Sequence, residues 1–187
     1  MYIGLALLTN AEVHNFARKI VFDLNQEYGT GIENALLPQH ISLKQSFPYE
    51  GKIEDIEKYL KTFCSNLKPL KIVLEKVEIN LIGEETILGW IKVRDCSELK
   101  DVHTKLCKEL KSEFNIEPLG FDGTMWKFHS TLTVSKVKKN TIHQLHSEYH
   151  NRDVNIEYEA REIVMFCNLG DPTKTSDYFS LKIFDLS

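Results

Sequence analysis

The sequence predicts an α+β fold of two similar, pseudo-symmetric lobes. Three observations predict it. Apolar residues recur with the helical period in some segments and with the strand period in others. The elements follow the same order in the two halves of the chain. Each half also carries one tetrad of histidine, any residue, a hydroxyl residue and leucine: HISL at 40–43 and HSTL at 129–132.

Taken in order, residues 2–8 read as a buried strand. Residues 10–28 read as a helix, because Val13, Phe16, Ala17, Ile20, Val21 and Leu24 fall on one face. The stretch YGTGIENALLP is punctuated by Gly and Pro and reads as a loop. Residues 39–46 alternate, with Ile41 and Leu43 on one side and His40, Ser42 and Lys44 on the other. A helix follows over 52–67, then strands near 70–81 and 86–94 joined by the turn LIGEET. The next helix covers 97–113, with Ser97 as its expected N-cap. A long irregular loop spans 115–127. Residues 128–135 alternate again, with Phe128, Leu132 and Val134 expected inward and His129, Thr131, Thr133 and Ser135 on the opposite face. A polar helix is expected at 139–151, then strands near 154–167 and 178–185.

Each half thus runs histidine strand, helix, strand, strand, and a helix precedes each unit. That match reads as an internal duplication with little surviving identity. The chain is expected to be one domain over 1–187, with lobes of about 1–95 and 96–187 and room for terminal strands to exchange between them.

Composition bounds the function. The chain has 187 residues, 42% of them hydrophobic, ample for a core. A net charge of −4 argues against a large duplex-DNA footprint, which needs a basic face. It leaves open a small anionic ligand or a single strand in a local groove. Cys64, Cys96, Cys107 and Cys167 show no metal-binding or disulfide spacing, so reduced, packed thiols and a cytoplasmic location are expected. The start MYIGLALLTN reads as a strand, not a signal peptide, and no apolar run is long enough to span a bilayer. A monomer is expected.

In a strand, residues two apart share a face. His40 and Ser42 therefore point together, as do His129 and Thr131. Two such strands meeting across a groove would offer two imidazoles and two hydroxyls. One neutral imidazole could remove a proton while one imidazolium delivers another, and the hydroxyls could donate to phosphate oxygens. Taken singly, either tetrad also fits a packed histidine bonded to a neighbouring hydroxyl.

The pair HISL and HSTL, with LPQHISLKQSF around the first, resembles the two histidine motifs of the two-histidine (2H) phosphoesterases. That superfamily includes the proteins called 2′-5′ RNA ligases and the cyclic phosphodiesterases. The resemblance covers essentially the whole chain. It implies a bilobal α+β fold, each lobe an antiparallel sheet with flanking helices around a central groove, and metal-free hydrolysis or transesterification at 2′,3′-cyclic phosphates or at 2′-5′ and 3′-5′ linkages. By motif position it implies catalytic roles for His40 and His129 and phosphate binding by Ser42 and Thr131. Four positions depart from the common pattern: Gln39 and Phe128 stand where many members have Pro. Ser130 also replaces the usual apolar residue, and Ser42 the common Thr.

Lys44, on the expected face of His40, could contact phosphate or lie in solvent. Trp126, Phe121 and Tyr178, in or beside long loops, could stack on a base or anchor their loops. Lys127, Lys136, Lys138 and Lys139 could form a basic rim around the second motif. His143, His146 and His150 share one flank of a helix, but a polar flank explains them, and no metal or other cofactor is expected. No phosphate loop of the ATP-binding type is present. The expected function is a phosphodiesterase acting on RNA ends or small nucleotides. The alternatives are a hydrolase of 2′-5′ oligoadenylates or cyclic signalling nucleotides, and a non-catalytic nucleotide-binding module.

Overall fold

In a computed structural model that describes residues 1–120, 122–123 and 126–187, eight strands form two four-stranded antiparallel sheets. The chain opens with β1 (Tyr2–Leu8), and Asn10 caps the next helix by accepting from the Val13 amide at 2.9 Å. That helix, α1 (Ala11–Tyr28), ends at Gly29, whose φ of 67° supplies the left-handed stop. Then come β2 (His40–Pro48), α2 (Ile53–Ser65), β3 (Leu70–Ile82) and β4 (Thr86–Val93). The second half holds α3 (Ser97–Phe114), β5 (His129–Lys136), α4 (Ile142–Tyr149), β6 (Asp153–Ala160), β7 (Glu162–Asn168) and β8 (Tyr178–Asp185). Ser97 is the first residue of α3 rather than its cap. Cys96 occupies the cap position without a side-chain bond. No helix among the described residues is long and apolar enough to cross a membrane.

The strand orders are β2-β1-β7-β8 and β5-β4-β3-β6. The unit β1-α1-β2 therefore matches β4-α3-β5: in each sheet the histidine strand lies at an edge, beside the strand that precedes its helix. The third position is filled by β7, from the second half of the chain, in one sheet and by β3, the hairpin partner of β4, in the other. The lobes are thus not the chain segments 1–95 and 96–187, because each sheet takes two strands from either segment. The run 154–167 is accordingly two strands, β6 and β7, which part at Arg161 to join different sheets. Burial accords with this split. The β1 and β7 side chains are buried almost throughout, which suits the two central strands of their sheet, covered on both faces. One apolar core spans both sheets, from Leu7 and Ile41 to Ile91 and Leu132.

Both motif strands carry a β-bulge at the same step. Ala6 pairs with Ser42 and Leu5 with Lys44, so Leu43 is the extra residue. Trp90 pairs with Thr131 and Gly89 with Thr133, so Leu132 is the extra residue. A bulge places two successive side chains on one face and inverts the alternation beyond it. The burial strings agree: both strands begin intermediate, buried, intermediate, buried, buried. Lys44 and Thr133, expected on the polar face, are turned inward at 1% exposure, and Val134, expected inward, is 53% exposed. The repeated leucine of the tetrad is the bulge residue, and burying each such side chain stabilises the fold by about 1.5–3 kcal/mol.

Candidate active site

The two edge strands β2 and β5 face each other and are stapled by buried polar groups. Gln39 Nε2 donates to Ser130 Oγ at 2.7 Å and to the Thr131 carbonyl at 2.8 Å. Ser130 Oγ donates to the His40 carbonyl at 2.7 Å. Gln39 and Ser130, two of the departures from the common motif pattern, are therefore partners of one another. Their chemistry answers burial, since an apolar residue at 130 would leave the Gln39 amide with one partner fewer.

The same lock holds both imidazoles. His40 Nδ1 lies 2.8 Å from the Pro38 carbonyl, and His129 Nδ1 lies 2.7 Å from the Lys127 carbonyl. A carbonyl can only accept, so each Nδ1 carries the proton. Each Nε2 is left as the nitrogen able to accept or deliver one. Aromatic rings back both: Phe166 at 4.7 Å from His40, and Trp90 stacked at 4.6 Å on His129. Burial pushes both imidazoles below the ordinary histidine range, and the carbonyl bonds partly oppose it. The charge of His129 pushes His40 down further, while Glu78 pulls His129 up. Two imidazoles that repel in this way take up one proton more readily than two, and that is the state in which one is a base and the other an acid.

His40, Ser42, Thr131 and Tyr178 line a single cleft of about 280 Å³, with Phe166 and Leu37 among its apolar walls. His129 lines a second hollow instead, together with Trp126. The Tyr178 hydroxyl donates to Ser46 Oγ at 2.7 Å and also lies 3.1 Å from the Pro172 carbonyl. Lys44 does not present its ammonium to the cleft. The Leu43 bulge turns it inward onto Asp122, where both side chains are buried. Trp126 is half-buried; its indole donates to the Ser42 carbonyl at 3.2 Å and stacks on His103, so it anchors the loop while bordering the His129 hollow. Phe121 lies outside the described residues. Of the expected basic rim, Lys127 borders the same hollow and Lys139 pairs with Glu84 at the surface.

His146 and His150 stack on each other, and His150 Nδ1 lies 3.1 Å from the Ile79 main chain. Among the described residues, the three groups close enough to share an ion are His103, Cys107 and Asp122. One Asp122 oxygen there lacks a partner. Yet His103 Nδ1 donates to the Leu43 carbonyl at 2.7 Å and Nε2 accepts from the Gly123 amide at 2.8 Å, so the ring has no free ligand atom. Through Glu117, Asp122 and Gly123 this cluster latches the described residues of the segment after α3 onto the β2 bulge.

Sequence reasoning missed Trp90, Phe166 and the Gln39–Ser130 staple. Trp90 had a signal, an aromatic beside Lys92 on the less buried face of ILGWIKV. Phe166 had none, being one apolar residue in an apolar run.

A sequence profile described as the 2′-5′ RNA ligase superfamily matches residues 14–172. The chain belongs to this superfamily. Solved structures share its fold across nearly the full length of both partners. TT0787 of Thermus thermophilus has a TM-score of 0.69 at 16% identity, covering 100% of this chain and 98% of its own. E. coli LigT complexed with NADP+ has a TM-score of 0.58 at 15% identity, covering 99% and 96%. Kluyveromyces marxianus Usb1 with uridine monophosphate has a TM-score of 0.50 at 12% identity, covering 98% and 97%. At such identities these structures speak for the 2′-5′ RNA ligase fold alone. A search of curated protein sequences found no match. Superfamily membership supports a phosphoesterase-type activity.

Proposed function

We propose that this protein is a metal-independent phosphodiesterase acting on RNA ends that carry a 2′,3′-cyclic phosphate, or on small cyclic or oligonucleotides, by two-histidine acid–base catalysis. The observation that carries the reading is the paired imidazole geometry: facing strands, each Nδ1 tied to the carbonyl two residues back, each Nε2 left for chemistry. Following the resemblance to the cyclic phosphodiesterases, water attacks phosphorus and gives its proton to His129 Nε2. This assignment runs against the lift Glu78 gives His129 in the free site, and the activated-ester comparison decides it. The bond from phosphorus to the leaving ribose oxygen breaks, and that oxygen takes a proton from His40 Nε2. A cyclic phosphate thereby becomes a monophosphate. Ser42 and Thr131, on the same cleft, donate to the non-bridging oxygens as charge builds there. Acid, base and donors are all side chains, so the chemistry asks for no Lewis acid. Nucleotide ligands in structures of LigT and Usb1 support a nucleotide substrate.

The test is a panel of 2′,3′-cyclic nucleotides, 2′-5′ and 3′-5′ oligomers and cyclic dinucleotides, incubated with purified protein in EDTA. Turnover of at least one, abolished in His40→Ala and His129→Ala, is expected. Stoichiometric binding without product would make the protein a binding module. Loss in EDTA with recovery on adding zinc would overturn the mechanism.

A further inference from the structure

The two hollows beside the histidines differ in kind. The cleft on the His40 side is walled by Leu37, Phe166 and Tyr178, with the amides of Asn34 and Gln45, and the one charged residue bordering it, Lys44, has its ammonium buried against Asp122. That chemistry suits an uncharged nucleoside. The hollow on the His129 side, about 520 Å³, lies within the usual span of ~300–1,000 Å³ for small-molecule sites. Its walls carry Lys92, Arg94, Lys100 and Lys127 against Glu78 and Asp95; Lys100 pairs with Asp95, and counting Glu75 just outside, four cations meet three carboxylates, with Lys127 in no ion pair among the described residues. Two of those cations are held in place from outside the hollow, because Glu75 bonds both Lys92 and Arg94 at 3.0 Å. Trp90 and Trp126 add aromatic wall on which a base can lie.

We infer that this hollow is a second nucleotide subsite, taking the nucleotide on the far side of the scissile phosphate, with Arg94 and Lys127 meeting that nucleotide's own phosphate. The inference rests on the phosphodiesterase reading and deepens it. The preferred substrate is then a linear oligonucleotide with at least one phosphate beyond the scissile one, since a 2′,3′-cyclic end has no nucleotide on the far side of its phosphate. Fixed cations beside an otherwise acidic surface concentrate such an anion locally, and the advantage fades with salt.

The experiment compares kcat/KM on a 2′,3′-cyclic mononucleotide and on a dinucleotide with and without an additional terminal phosphate. It uses the wild type, Arg94→Gln and Lys127→Gln, two changes at the wall of the hollow that keep the Lys127 carbonyl bonded to His129. The additional phosphate is expected to raise kcat/KM about tenfold in the wild type, the scale of one charged hydrogen bond. Each variant should lose most of that ratio, and raised salt should erode it. An unchanged ratio, with the cyclic mononucleotide still turned over, overturns the subsite and leaves the phosphodiesterase reading standing. If no substrate is turned over, binding of the phosphorylated dinucleotide by fluorescence anisotropy decides: dependence on Arg94 and Lys127 keeps the subsite without catalysis, and its absence overturns both.

Discussion

The β2 and β5 motif strands share a backbone and differ in what hangs from it. Both start with a histidine locked to the carbonyl two residues back, both place a hydroxyl at the next site-facing position, and both bulge at a buried leucine. Beyond the bulge they diverge. In β2 the inward residue is Lys44, ion-paired with Asp122 in a network that holds the described residues of the segment after α3. In β5 it is Thr133, which shares a hydrogen bond with Ser135. The wall behind His40 is Phe166, and behind His129 it is Trp90. A duplicated backbone can therefore keep its two chemical groups in matched positions while their surroundings specialise. Such surroundings can move two like groups toward different jobs.

The sharpest way to break the likeness is to remove one imidazole at a time. His40→Ala and His129→Ala should each lower turnover of a natural ester by roughly 10²–10⁴. An activated ester releasing nitrophenolate needs no acid, so His40→Ala should recover most of its rate there and His129→Ala should not. Rescue of His129→Ala alone would exchange the two roles.

Next in size is the divergence beyond the bulge. Asp122→Asn leaves the buried Lys44 ammonium without its counter-charge, and a loss of about 3–5 kcal/mol is expected in urea unfolding. The matching change in the other strand, Thr133→Val, should cost about 1 kcal/mol. Equal midpoints for the two variants would mean that water reaches the ion pair in solution.

The staple between the strands should show as non-additivity. Gln39→Ala and Ser130→Ala each remove a buried partner, at about 1–3 kcal/mol. Their double-mutant cycle should return a coupling of about 0.5 kcal/mol or more. Strict additivity would dissolve the proposed tie between the two halves of the site.

The smallest effect is the pH dependence. Both imidazoles are depressed by burial, so the bell of kcat/KM should centre on the acid side of the ordinary histidine midpoint of about 6.5. Below that midpoint the unfolded chain binds protons that the folded site resists. The stabilising contribution is therefore full above it and is lost as pH falls through the lowered folded values. Thermal midpoints should drop on acidification, less steeply in His40→Gln than in the wild type. An optimum well above neutrality would contradict the burial of both rings.

The sequence by itself determined a good deal. Periodicity located β1, α1, α2 and α3 to within a residue or two, because each buries one clear stripe or run. The motif pairs could be read because residues two apart in a strand share a face, which holds from His40 to Ser42 and from His129 to Thr131. Only the tertiary structure decided what happens after Ser42 and Thr131. A bulge is set by pairing with the neighbouring strand, so nothing in HISLK or HSTLT marks Lys44 and Thr133 as inward. Strand exchange was likewise hidden. Arg161 separates β6 from β7, and β7 pairs with β1, a strand at the other end of the chain. Local sequence carries side-chain period and propensity, while register and partner choice depend on contacts between residues far apart in the chain.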